Sequence, residues 1–219
     1  GAMATTDTAG KNTAIGYQAA QALVGGTDGC IAIGYQALIG DVNAAHYTIA
    51  IGQQALGALT SGEGNIAIGY QALDAEDDGD YNTAVGYQSL TAQTGTSGAV
   101  ANTAVGYQSG VAITKSRFTT ALGYKALSAE DVGDRSTAVG YESLNFQNSD
   151  SDNETTGNTA IGFQSGYFNV TGQNNTYLGY SAGKGASGEN NSDNTGVGKD
   201  ALLSITTSSN NVVIGTAAG

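Results

Sequence analysis

The chain has 219 residues, a net charge of −12, no proline and a single cysteine. Leu, Ile, Val and Phe account for only 40 residues, which with this charge describes a disordered chain unless the apolar residues fall into register. The acidic balance excludes a nucleic-acid binder, the lone cysteine excludes a disulfide framework, and no apolar run is long enough to span a membrane.

Gly1-Ala2-Met3 reads as a scar of tag removal, so residues 1–11 are expected to be scar and N-terminal cap. From Asn12 onward one phrase returns twelve times, as NTAIGYQA at 12–19, NIAIGYQA at 65–72, NTAVGYQS at 82–89 and NVVIGTAA at 211–218. Each copy is anchored on a glycine, from Gly16, Gly34 and Gly52 to Gly198 and Gly215, at spacings of 17 to 22 residues. Self-similarity at this period predicts an all-β solenoid, one supersecondary unit per repeat, as a single domain over 12–219.

Within a repeat the offsets are regular. The residue before each glycine is Ile, Val or Leu, and the third before it is β-branched (Thr13, Ile31, Ile49, Ile66, then mostly Thr). Alternation puts these two on one face of a short strand, which is expected to fill the coil. The second residue before the glycine is Ala in nine repeats, and this bare face is expected to meet another chain closely. The fourth residue before is Asn in eight repeats, which predicts an amide ladder. An aromatic follows the glycine in nine repeats, as in Tyr17, Tyr35 and Tyr70, which predicts a stacked row and leaves a sugar-stacking stripe as the alternative. Cys30 takes one Asn offset, where it reads as a packed small residue or as a link between subunits.

The connectors carry the variable chemistry. His46 is the only histidine, so Ser–His or Cys–His catalysis has no support and no enzyme is expected. Asp77, Asp78 and Asp80 lie in an acidic connector; they read as a solvated turn, with a Ca²⁺ site as the sharper possibility and no other cofactor. Lys115, Arg117, Lys125 and Arg135 form a local inversion of charge. Connector loops around Lys115, Arg117 and Phe118, and around Asp77, Asp78 and Asp80, are the candidate binding residues, since loops are free to vary where strands are committed to packing.

NTAIGYQA, NIAIGYQA and NTAVGYQS resemble the head repeats of YadA-like trimeric autotransporter adhesins and the similar repeats of phage tail fibres. The resemblance runs from Asn12 to Gly219, although these repeats are longer than is common in YadA-type heads. It implies a left-handed parallel β-roll of about twelve coils, assembled as a homotrimer. It also implies an extracellular place on a cell or virion surface, and attachment to a glycan or protein receptor of a host or prey cell. A passive spacer that presents a separate tip is the alternative. Ice binding, suggested by the Thr-rich row, is a third reading, opposed by Ile31, Ile49, Ile66 and Val212, which interrupt the Thr, and by the expected burial of the row.

Overall fold

The computed structural model describes residues 10–23, 27–95, 98–149, 151–152, 154–188 and 190–219. Most of the expected N-terminal scar and cap lies outside them. The chain is an all-β parallel β-solenoid of about eleven turns, without a helix among the described residues. It divides into two compact units, Gly1–Tyr107 and Gln108–Gly219.

In the first unit the repeat strands are β1 (Thr13–Ile15), β2 (Ile31–Ile33), β3 (Ile49–Ile51), β4 (Ile66–Ile68), β6 (Thr83–Val85) and β8 (Thr103–Val105). Two short strands, β5 (Gly79–Asp80) and β7 (Gly98–Ala99), pair with each other in the connectors. In the second unit they are β9 (Thr120–Leu122), β10 (Thr137–Val139), β11 (Thr159–Ile161), β12 (Thr176–Leu178), β13 (Thr195–Val197) and β14 (Val212–Ile214). Each unit pairs its repeat strands in parallel with like offset on like offset, as in Ile66↔Thr83, Ala67↔Ala84 and Ile68↔Val85. Repeat spacing therefore sets the register, whatever the length of the intervening connector.

The anchor glycines stack backbone on backbone. Gly69 has φ +139°, and a Cβ built there would lie 2.2 Å from the carbonyl oxygen of Gly86. Only glycine accepts both the left-handed backbone and that clearance. After the glycine the chain bends, without forming a second strand. The second and fourth residues beyond it are left-handed, as in Gln71 and Leu73 (both φ 51°), a conformation that L-residues normally avoid. The bend folds the chain back under its own strand.

That return corrects the expected facing. The alanine two before the glycine points into the coil: Ala32, Ala50, Ala67, Ala84, Ala104 and Ala138 are all fully buried. The β-branched and aliphatic residues on either side of it point outward and are half-buried or exposed. The backbone that demands a small residue belongs to the same chain. Ser143 Oγ, from the post-glycine turn, donates to Ala160 O at 2.8 Å, and Ser165 Oγ to Tyr177 O at 3.1 Å. Within each unit the interior is filled by Ala, by Leu from the turns (Leu38, Leu56, Leu73 and Leu90 in the first, Leu127 and Leu144 in the second), and by connector residues such as Leu59 and Ile113.

The asparagine row forms the expected ladder. Asn82 N–H donates to Asn65 Oδ1 at 2.8 Å, and Asn175 N–H to Asn158 Oδ1 at 2.8 Å. The other end of the amide ties the connector down: Asn65 Nδ2 donates to Gly79 O at 2.8 Å, and Asn158 Nδ2 to Gly172 O at 2.6 Å. Buried backbone groups that the short strands leave unpaired are satisfied in this way.

One layer holds a large inward side chain. Tyr177 takes the alanine position and is fully buried. Its ring fits because Gly166 and Gly183 replace the turn leucine, and Gly196 replaces the next alanine. A Cβ at these glycines would meet the Tyr177 ring at 3.2, 2.2 and 3.2 Å respectively. Its hydroxyl donates to Asn191 Oδ1, and burial raises the phenol pKa.

Candidate binding surfaces

Three outward rows share the strand face: the β-branched residue, the aliphatic residue and the aromatic after the glycine. Ile15, Leu122, Leu178 and Ile214 are among the exposed aliphatics. The aromatics form the expected stack. Ring centroids are 5.0 Å apart for Tyr70–Tyr87, 5.3 Å for Tyr87–Tyr107, 5.0 Å for Tyr124–Tyr141 and 4.9 Å for Phe163–Tyr180, with planes within 15°. Interior rings of the stack spend both faces on neighbouring rings and present edges to water, so the row offers little face for a sugar ring. The threonine row points outward and is not buried, so burial does not oppose ice binding, while Ile31, Ile49, Ile66 and Val212 still interrupt the row.

The acidic connectors are not simply solvated turns. Glu76 is fully buried. Its Oε1 accepts from Asp78 N–H at 3.2 Å and Gly79 N–H at 2.7 Å, and its Oε2 from Gln93 Nε2. Gln93 Oε1 in turn accepts from Asn102 Nδ2 at 3.0 Å. The second unit repeats the device. Glu130, also fully buried, accepts from Gly133 N–H at 2.8 Å, Ser149 Oγ at 3.0 Å and Gln147 Nε2 at 2.7 Å. Asn158 Nδ2 then donates to Gln147 Oε1 at 2.9 Å. In both connectors a carboxylate anchors its own loop and the coil after it. Sequence composition hid this, but one signal was legible: Ala-Glu-Asp recurs at 75–77 and 129–131, each glutamate with a glutamine 17 residues on.

Of the three candidate aspartates in the first acidic connector, Asp77 and Asp78 come together with Glu76, with one carboxylate oxygen from each within 4.8 Å of the others. Asp80 turns to the preceding coil, where its Oδ1 accepts Glu63 N–H at 2.8 Å. Both Glu76 oxygens already face N–H donors, a polarity that opposes a cation. Burial raises the Glu76 carboxyl pKa, and burial with the Asp77 and Asp80 charges raises that of Asp78.

The basic candidates are matched within their own unit. Lys115 Nζ meets Asp152 Oδ2 at 2.7 Å in an exposed pair. Arg117 Nη2 meets Asp134 Oδ2 at 3.2 Å, and Arg117 N–H donates to the buried Asp134 Oδ1 at 2.8 Å. The Arg135 guanidinium sits over the exposed Phe118 ring, 5.8 Å from its centroid. His46 Nδ1 accepts Asp28 N–H at 3.3 Å. Cys30 points inward, with Sγ 3.1 Å from Ala45 O and burial raising its thiol pKa. That position removes it from the surface an intersubunit disulfide would need.

Sequence reasoning passed over another row, the fifth residue before each glycine. In the first unit it runs Lys11, Gly29, Tyr47, Gly64, Tyr81, Ala101, with glycine and tyrosine alternating over the middle four. The two tyrosines are 72% and 56% exposed. Their alternation with glycine was the available signal. No helix among the described residues is long and apolar enough to cross a membrane. No family model, curated protein or solved structure matches the chain.

Proposed function

We propose that the chain is an extracellular module of a homotrimeric surface adhesin or fibre, in which three left-handed β-rolls pack through their strand faces and attach to a host or prey surface. One observation carries the assembly: within each unit the outward face is a run of Ile, Val, Leu and Thr beside stacked aromatics. Soluble monomers rarely expose contiguous apolar surface on this scale. Fully burying one aliphatic side chain contributes ~1.5–3 kcal/mol, so many half-covered rungs together favour association. The resemblance of the repeats to trimeric adhesin heads supports the same arrangement, and three copies would add avidity to weak single contacts.

Light scattering tests the assembly, with a mass near three chains expected; a stable monomer would sink it. A cell-surface binding assay tests attachment, and silence across diverse surfaces favours the spacer. Ice binding gains one observation, since threonine holds the outward row without interruption from Thr120 to Thr195 in the second unit. The two readings compete for one face, because a face covered by other chains cannot meet ice. Thermal hysteresis in a trimeric sample would exclude this packing.

A further inference from the structure

Tyr47 and Tyr81 differ from the aromatics of the strand face in what they do with their rings. A Cβ built on Gly29 would lie 2.9 Å from Tyr47 Cδ1, and one on Gly64 would lie 2.9 Å from Tyr81 Cδ1. Each tyrosine therefore leans back over the glycine of the preceding coil, into space that any other residue there would fill. Part of each ring lies against that glycine, and most of each tyrosine is open to water. A glycine coil separates the two tyrosines, so neither is covered by the other.

Their separation is held by the backbone. Tyr47 N–H donates to Asp28 O at 3.0 Å, Gly64 N–H to His46 O at 2.9 Å, and Tyr81 N–H to Glu63 O at 2.9 Å. Successive coils are joined as in a parallel ladder, which puts the two rings two strand spacings apart, about 10 Å. Beside them runs a polar row, Asp28, His46, Glu63 and Asp80, one residue earlier in each coil.

We propose that Tyr47 and Tyr81 form a stacking platform for a neutral, extended β-1,4-linked polysaccharide. In such a chain, alternate sugars present the same face, and two sugar units advance by about the separation of the rings. The apolar face of a pyranose covers an exposed aromatic ring, and its hydroxyls donate to the flanking carboxylates. Charge selects the class. Asp28, Glu63, Asp80 and a net charge of −12 repel acidic glycans. A proline-rich peptide of similar repeat offers carbonyl acceptors and few donors, so the same carboxylates would go unmatched. Phe118, the third aromatic of the row, lies under Arg135 and is not part of the platform.

This site rests on the attachment reading and supplies its ligand class. Calorimetric titration of the whole protein with cellohexaose and with chitohexaose tests it. At least one hexaose binds, and Tyr47→Ala or Tyr81→Ala each weaken it by about tenfold or more, the loss of one stacking partner. Tyr81→Phe keeps the affinity, because the ring does the binding. No binding of either hexaose, or equal binding by the double alanine variant, overturns the site. A protein that adheres to cells yet ignores both sugars loses the platform and keeps the attachment role. One that binds a hexaose through these rings but adheres to no surface keeps the platform and loses that role.

Discussion

The inner wall of the solenoid and its outer strand face are equally regular, for opposite reasons. The inner wall repeats because the backbone leaves no choice. Anchor glycines touch carbonyl oxygens, and the alanines face the returning turn of their own chain. The outer face repeats although no intrachain clearance requires it: Thr, Ile and Val interchange freely in the β-branched row. Regularity that packing does not impose calls for a second cause, and contact with other chains is the one proposed here. A repeat protein can thus carry two periodic signals, one written by its own stack and one by what lies beside it.

The sharpest way to break the comparison is at the inner wall. Gly69→Ala puts a Cβ against Gly86 O in a left-handed backbone. Strain and overpacking together should cost roughly 3–5 kcal/mol, read as a fall in Tm or loss of the folded chain. An unchanged Tm would mean that the glycine column is not a constraint. Next is a pair of neighbouring residues. Ala67→Leu overfills the coil and should cost about 1–3 kcal/mol in chain stability. Ile68→Lys, one residue on and outward, should leave the chain within about 0.5 kcal/mol but reduce the mass from three chains to one. The reverse pattern would invert the assignment of the faces.

The smallest effect is electrostatic. Burial raises the pKa of Glu76, so between its unfolded and folded pKa values the native state holds more protons. The penalty for its charge is present above the folded value and fades as pH falls toward the unfolded one. Asp74 and Asp131, also raised by burial, act in the same direction. Tm should therefore rise modestly on acidification from pH 7 toward 5. A steady fall over that window would mean that attraction to the carboxylates, more than burial, sets their titration.

Strand positions, register and the asparagine ladder were legible because all depend on offsets from a glycine. The facing was not. Alternation separates Ile66 and Ile68 from Ala67 without saying which side is inward, and hydrophobicity points the wrong way. The coil is too slim to hold a row of isoleucines, a fact that lives in the turn at Gln71 and Leu73. The buried glutamates were missed for a related reason. Glu76 and Asp77 are adjacent and chemically alike, but only Glu76 meets the donors of its own loop and of Gln93 in the next coil. Tyr47 and Tyr81 are harder to see in the sequence, because the commoner aromatic row, whose rings cover one another, carries the stronger periodic signal.

The Tyr177 layer has a consequence for how the solenoid can change length. Where inward Ala and turn Leu repeat from coil to coil, the inner wall alone lets one coil stand in for another. Tyr177 draws its room from the coil before it, through Gly166, and from the coil after it, through Gly196. Excising or duplicating that coil alone would leave a void in one neighbour or a collision in the other. Three coils there form a single unit of insertion and deletion, and the buried Glu76 and Glu130, each held by a glutamine of the following coil, join coils in pairs in the same way.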